Sequence, residues 1–131
     1  MSEKRTKVSY IGAPAVFALE LALQQVCAAF GEGACYHVGS SLERPDWRDV
    51  DVRMILDDEK FKREFPNVHP GAWELDPKWL LLTVSISAWL SKASGLPIDF
   101  QIQPMTHANE RHKGRRSAAG MRLKPLVGDE E

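Results

Sequence analysis

Cysteine is scarce in this chain: Cys27 and Cys35 are the two among 131 residues. A secreted domain of this size ordinarily relies on several disulfides, so the count argues for a reduced, cytoplasmic setting. With His37 the pair also lacks the close cysteine knuckle of a structural zinc site, and two buried thiols are the simpler reading. Long apolar runs are lacking as well. The longest, Trp79–Leu90, has twelve residues and is broken by Thr83, Ser85 and Ser87, whereas a helix needs about 20 to cross a bilayer. Residues 1–10 alternate charged and polar groups and lack the apolar core of a signal peptide. The expectation is a soluble cytoplasmic protein with no membrane partner.

Charge of one sign is missing too, with 17 basic and 18 acidic residues for a net charge of -1. A hydrophobic content of 44% and so small a net charge exclude disordered, collagen-like and low-complexity classes. The chain has no internal repeat and no linker that would divide it. It also lacks the glycine-rich phosphate loops: Gly31-Glu32-Gly33 has no third glycine at the spacing such a loop requires. No nucleophile-elbow serine is present.

What is there is one domain's worth of alternating elements. Pro14 and Gly31 bracket a helix over about 14–30, with Leu19, Leu23, Val26 and Phe30 on one stripe. Tyr36–Val38 reads as a short strand running into Gly39-Ser40-Ser41. Asp49–Leu56 reads as a second strand, with Val50, Val52 and Met54 on one face and Asp49, Asp51 and Arg53 on the other. A short helix follows over 57–65, then a loop over 67–75. Asp76-Pro77 caps a helix that runs to about Ser94, where Gly95 and Pro97 stop it. Thr83 to Ser87 alternates like a strand, but length and both end signals favour helix. Ile98–Gln103 is the last core strand.

Charge is unevenly placed. Residues 1–106 carry 11 basic and 14 acidic groups, while residues 107–124 carry six basic groups against Glu110 alone. The expectation is a single domain over 1–106 and a basic, flexible C-terminal arm over 107–131. Arg111, Lys113, Arg115 and Arg116 of that arm are candidates for contact with nucleic-acid phosphates. His107 and His112 are five apart, not the four that would pair them on a helix, and fall in the same arm.

Asp49 and Asp51 would stand side by side on the polar face of one strand, and Asp99 offers a third carboxylate on the polar face of another. Such neighbours repel unless something positive sits between them. Mg²⁺ (or Mn²⁺) binds one or two carboxylates together with waters and substrate phosphates, and paired ions suit in-line displacement at phosphorus. Gly39-Ser40 at a strand end lets backbone N–H groups approach an anion, with a hydroxyl as a further donor.

Val38-Gly39-Ser40, then Asp49-Val50-Asp51-Val52, then Ile98-Asp99-Phe100 resemble the signature of the DNA polymerase beta-like nucleotidyltransferase superfamily, in its minimal, stand-alone prokaryotic or viral form. The match covers roughly residues 14–104. The resemblance implies an α+β fold: a small mixed β-sheet with helices packed on one side, in the order helix-strand-strand-helix-strand. It implies binding of ATP or another NTP, with Gly39, Ser40 and Ser41 on the phosphates. Asp49, Asp51 and Asp99 would be the catalytic, metal-holding acids. The expected reaction moves an NMP to a hydroxyl of RNA, protein or a small molecule and releases pyrophosphate. From strand alternation, Arg53 adds a phosphate contact and Gln101 and Gln103 meet the acceptor.

One departure is visible: eight residues separate Ser40 from Asp49, fewer than the family usually has, and they include Trp47 and Arg48. Trp47 is placed to stack on a base. A short loop alters the phosphate grip, and this opens a second reading, a catalytically degenerate module that binds a protein partner or, through its basic arm, nucleic acid. The long helix, with Trp79, Leu82, Ile86, Trp89 and Leu90, carries more apolar surface than a small core covers, which points to a homodimer or a helical protein partner.

Overall fold

The computed structural model of the chain describes residues 11–31, 33–39, 45, 48–69, 71–114 and 116–120. Helix α1 (Ala13–Phe30) has proline in its first turn and ends at Gly31, whose φ of 78° lets its N–H return to the Cys27 carbonyl. Strand β1 (Ala34–Val38) follows, then β2 (Val50–Leu56). Helix α2 (Asp58–Glu64) starts where the Asp57 carboxylate accepts the Lys60 N–H at 2.7 Å. A 3-10 turn at Trp73–Leu75 leads into α3 (Pro77–Ser94). Here Asp76 caps the first turn by accepting the Trp79 N–H at 3.0 Å, a contact of the kind that contributes about 1 kcal/mol. Gly95, left-handed at φ 76°, closes it. Strand β3 (Ile98–Pro104), helix α4 (Met105–Arg111) and strand β4 (Ser117–Ala119) complete the order.

The four strands form one mixed sheet in the order β3-β2-β1-β4. β1 runs antiparallel to β2 and β4, and β2 runs parallel to β3. The protein is therefore α+β, with a four-stranded mixed sheet and four helices among the described residues. Alternation divides the sheet. Val50, Val52, Met54 and Leu56 lie in register with Ile98, Phe100, Ile102 and Pro104, and the apolar members of this set are buried with Cys35 and Ala119. Leu19, Leu23 and Val26 of α1 and Leu90 of α3 join the same core. The opposite face carries Asp51, Arg53 and Ile55 beside Asp99, Gln101 and Gln103.

Two expectations change. The segment after residue 106 is not a free arm through residue 120. Its helix α4 buries Ala108, and its strand β4 pairs Ser117, Ala118 and Ala119 with His37, Tyr36 and Cys35 of β1. Backbone pairing does the ordering, since large apolar side chains are few there. Nor do all helices share one side. Following α4, His112 bonds Gln103 at 3.1 Å, and the Arg116 guanidinium lies 5.8 Å from the centre of the Tyr36 ring, both on the polar face.

Helix α3 runs beside β3, the outer strand of the sheet. Trp79 donates its indole N–H to the Ile102 carbonyl at 2.9 Å. The Ser87 hydroxyl accepts the Phe100 N–H at 3.1 Å and donates to the Phe100 carbonyl at 3.2 Å, and Ser91 accepts the Ile98 N–H at 3.0 Å. An uncovered strand edge is a template for unwanted pairing. This polar stripe covers it, which is why Ser87 interrupts the apolar run of the helix.

Trp79 and Leu90, read earlier as excess apolar surface, are core residues, and Leu82 and Ile86 pack against that core. Phe17 and Leu21 on α1 and Leu80, Leu81, Val84 and Trp89 on α3 are the exposed large apolar residues of these two helices. Among the described residues α1 alone is long and apolar enough to cross a membrane by composition. Here one stripe of it lines the core.

Candidate active site

The site forms where three strand ends meet. Val38, the last residue of β1, stands opposite Asp51, and Asp51 stands level with Asp99 on β3. Gly39 continues from β1 at φ 82°, a conformation open chiefly to glycine. A Cβ built at that position would clash with the Asp51 carboxylate Oδ2. The glycine is thus required twice, by its torsion and by the carboxylate lying on it. Ser40 and Ser41, like Trp47 and Arg115, lie outside the described residues.

Burial pushes the Asp51 carboxyl above the usual carboxylate range. Arg53 pulls it down, while the negative charges of Asp99 and Asp49 and a hydrogen bond with Asp99 push it up again. The two acids from neighbouring strands are therefore in side-chain contact, with Asp49 near enough to be felt. Arg53 supplies the compensating charge. Its Nη2 lies 3.5 Å from Asp99 Oδ2 and 3.9 Å from Asp51 Oδ1. Its Nη1 donates to the carbonyls of Asp99 at 2.7 Å and Val52 at 3.1 Å. Only 8% exposed, Arg53 leaves its Nε without a hydrogen-bond partner. The arginine is a brace fixed within the sheet face, not a side chain free to swing over a ligand.

Among the described residues, no group of three or more His, Cys, Asp or Glu side chains is gathered to hold a metal ion. A pair of neighbouring carboxylates is nonetheless present. Two carboxylates in contact, one of them reluctant to ionise, form a pair that a divalent cation relieves, and Mg²⁺ commonly takes only one or two protein carboxylates.

On the far flank of Asp99, away from Gly39, a cavity of about 900 Å³ opens along β3. Asp49 and Asp99 line it beside the start of the strand. Trp73, Trp79 and Thr83 line its length, and His107, Arg111 and His112 meet it where the strand hands over to α4. Gln101 and Gln103 face into it, but Asp51 and Gly39 do not line it. Burial holds both imidazoles below their ordinary range; Arg111 adds to this at His107, and Arg53 followed by Arg116 and Arg111 at His112.

The basic residues of the C-terminal segment divide. Arg116 donates to the carbonyls of Ala108 and His112 and to Asn109 Oδ1, and is taken up by the fold. Arg111 borders the cavity, and Lys113 is exposed. Reading residue by residue, the sequence analysis missed Thr83, Trp79, Trp73, His107 and His112. The available signal was the four-residue spacing of Trp79, Thr83, Ser87 and Ser91, which puts all four on one helix face.

Compared with known proteins, the chain matches no family model, no curated protein and no solved structure.

Proposed function

We propose that the protein is a metal-dependent nucleotidyltransferase with a nucleotidyltransferase-like fold. It would move an NMP from an NTP to a hydroxyl acceptor and release pyrophosphate. The observation that carries this reading is the meeting of Asp51 with Asp99 in register across β2 and β3, with the Gly39 backbone lying on the Asp51 carboxylate. An anion-accepting strand end and a pair of acids in mutual contact are what metal-assisted phosphoryl chemistry requires.

In this reading the backbone at Gly39 cradles the triphosphate, together with Ser40 and Ser41. Asp51 and Asp99 would hold Mg²⁺ or Mn²⁺, with Asp49 near enough to add its charge, and the ion when bound supplies charge neutralisation on the phosphates. Arg53 keeps the two carboxylates in place through its bonds to the β2 and β3 carbonyls. Catalysis then rests on positioning and electrostatics, with little covalent chemistry by the chain itself.

One observation favours the second reading, a degenerate module that binds a partner. Arg53 already supplies positive charge between Asp51 and Asp99, so the pair is partly compensated without a metal. The deciding experiment is transfer of α-phosphate label from each of the four NTPs, with Mg²⁺ or Mn²⁺, in the presence of total RNA and cell extract. Label incorporated by the wild type and not by an Asp49→Asn/Asp51→Asn variant supports the enzyme. No incorporation by a folded wild type from any nucleotide refutes it and leaves the binding module.

A further inference from the structure

Two residues that line the cavity along β3 each carry a buried polar atom without a partner. Thr83, 7% exposed, has an Oγ1 with no hydrogen-bond partner, and Arg53, 8% exposed, has an unpartnered Nε. Buried polar groups are nearly always satisfied, so each unsatisfied one calls for a missing partner. Both residues line the same cavity, so its wall holds unmet polar capacity beside the charged groups at its ends.

The cavity is also two-ended. Asp49 and Asp99 stand beside the start of β3, and Arg111 and the two imidazoles stand where it ends. From Asp99 to Gln103, which holds His112, the strand advances roughly 13 Å at about 3.3 Å per residue. With about 3 Å of hydrogen-bonding reach at each end, about 7 Å remains for the body of a ligand. The indoles of Trp73 and Trp79 add apolar wall towards the His107 end, where Trp73 packs against the imidazole at 4.3 Å between ring centres. The volume falls within the roughly 300–1,000 Å³ of ordinary small-molecule sites.

We infer that this cavity binds the acceptor, and that the acceptor is a small ring-bearing acid: a monosaccharide-sized molecule with a hydroxyl directed to Asp99 and a phosphate or carboxylate at Arg111. This rests on the transfer reading for the word acceptor; the binding site itself does not. The folding of the C-terminal segment supports it, because Arg116 is consumed internally and Arg111 is turned to the cavity. The transfer step breaks the bond between the α- and β-phosphates of the NTP and forms one from the α-phosphorus to the acceptor oxygen. Pyrophosphate leaves, and the hydroxyl proton passes to solvent.

The test is calorimetric titration of the full chain with hexose 6-phosphates, pentose 5-phosphates and hexuronic acids, with neutral hexose and inorganic phosphate alongside. The expected result is saturable binding of at least one sugar acid, stronger than either neutral hexose or phosphate. Arg111→Ala should weaken it about tenfold or more and Thr83→Val about fivefold, while Lys92→Ala leaves it unchanged. Thr83→Val removes an unpartnered hydroxyl, so its thermal midpoint should hold or rise, which separates lost binding from lost folding. Binding should also survive Asp51→Asn. Failure of every sugar acid to bind, or binding indifferent to Thr83 and Arg111, overturns the inference. Label transferred to RNA or protein by a chain that binds no sugar acid overturns the inference but keeps the transferase. Binding without transfer from any NTP keeps the site and removes the transferase.

Discussion

Replacing Ser87 by alanine tests how the sheet is held under the site. One hydroxyl serves both backbone groups of Phe100, at 3.1 Å and 3.2 Å, and the contact is partly buried. Alanine is a somewhat better helix former than serine, a gain that Ser85→Ala shares, and it removes nothing else of size, so against that control the perturbation is the loss of two hydrogen bonds. A backbone group left unsatisfied costs about 1–3 kcal/mol when dry, and a typical bond between neutral groups contributes about 1 kcal/mol net. Because water can reach part of the site, two such losses place the variant about 1.5–3 kcal/mol below the wild type. Urea denaturation followed by far-ultraviolet circular dichroism reads this directly. The midpoint should fall with the slope unchanged, as expected when stability changes and the exposed surface does not. Ser85→Ala, on an exposed position of the same helix, should stay within about 0.5 kcal/mol of the wild type. A Ser87→Ala variant as stable as Ser85→Ala would refute the claim that α3 holds the edge of β3 through this hydroxyl.

Three further outcomes follow from the site and the core. Asp51→Asn should raise stability at neutral pH relative to the wild type. An acid whose folded pKa is raised contributes stability below its unfolded pKa and loses it as pH climbs to the folded value. The gap between variant and wild type should therefore open as pH rises through that window; parallel urea midpoints from pH 3 to 8 would contradict the assignment. Gly39→Ala should cost about 1–2 kcal/mol for the left-handed torsion alone, with added loss from the Asp51 clash, and should abolish label transfer; an equally stable variant would mean that the strand end relaxes freely. Cys35, fully buried, has its thiol pushed well above the usual range by its hydrogen bond with Cys27 and by burial. Iodoacetamide at pH 8 should leave it unmodified in the folded protein and modify it in urea, as mass spectrometry of the peptides would show; rapid labelling of the native chain would refute this.

Local signals carried much of the architecture. Asp57 and Asp76 cap the helices they precede, Gly31 and Gly95 stop α1 and α3, and the alternation from Ile98 marks β3. Period two also put Asp51 and Asp99 on polar faces, though only the register of β2 against β3 brings them level. What was illegible depends on distant partners. Ser117–Ala119 has small side chains and becomes a strand because β1 offers an edge. Met105–Arg111 buries only Ala108, too little for an apolar stripe to register. Ser87 looked like an interruption of an apolar run, because its role is set by a strand that comes later in the chain.

The parallel pairing of β2 with β3 has a kinetic consequence. A hairpin cannot make such a pair; the chain between the strands must first go through α2 and α3 and return. Arg53 joins Asp99 across 46 residues of sequence, whereas Gly39 and Asp51 meet through the neighbouring antiparallel strands β1 and β2. Non-local closure is the slow part of folding, and β3 gains its outer hydrogen bonds only once α3 is in place. The Gly39 half of the site thus rests on a local antiparallel pairing, whereas Asp99 depends on the non-local one. Whatever loosens β3 from β2 separates the two carboxylates while leaving Gly39 and Asp51 together.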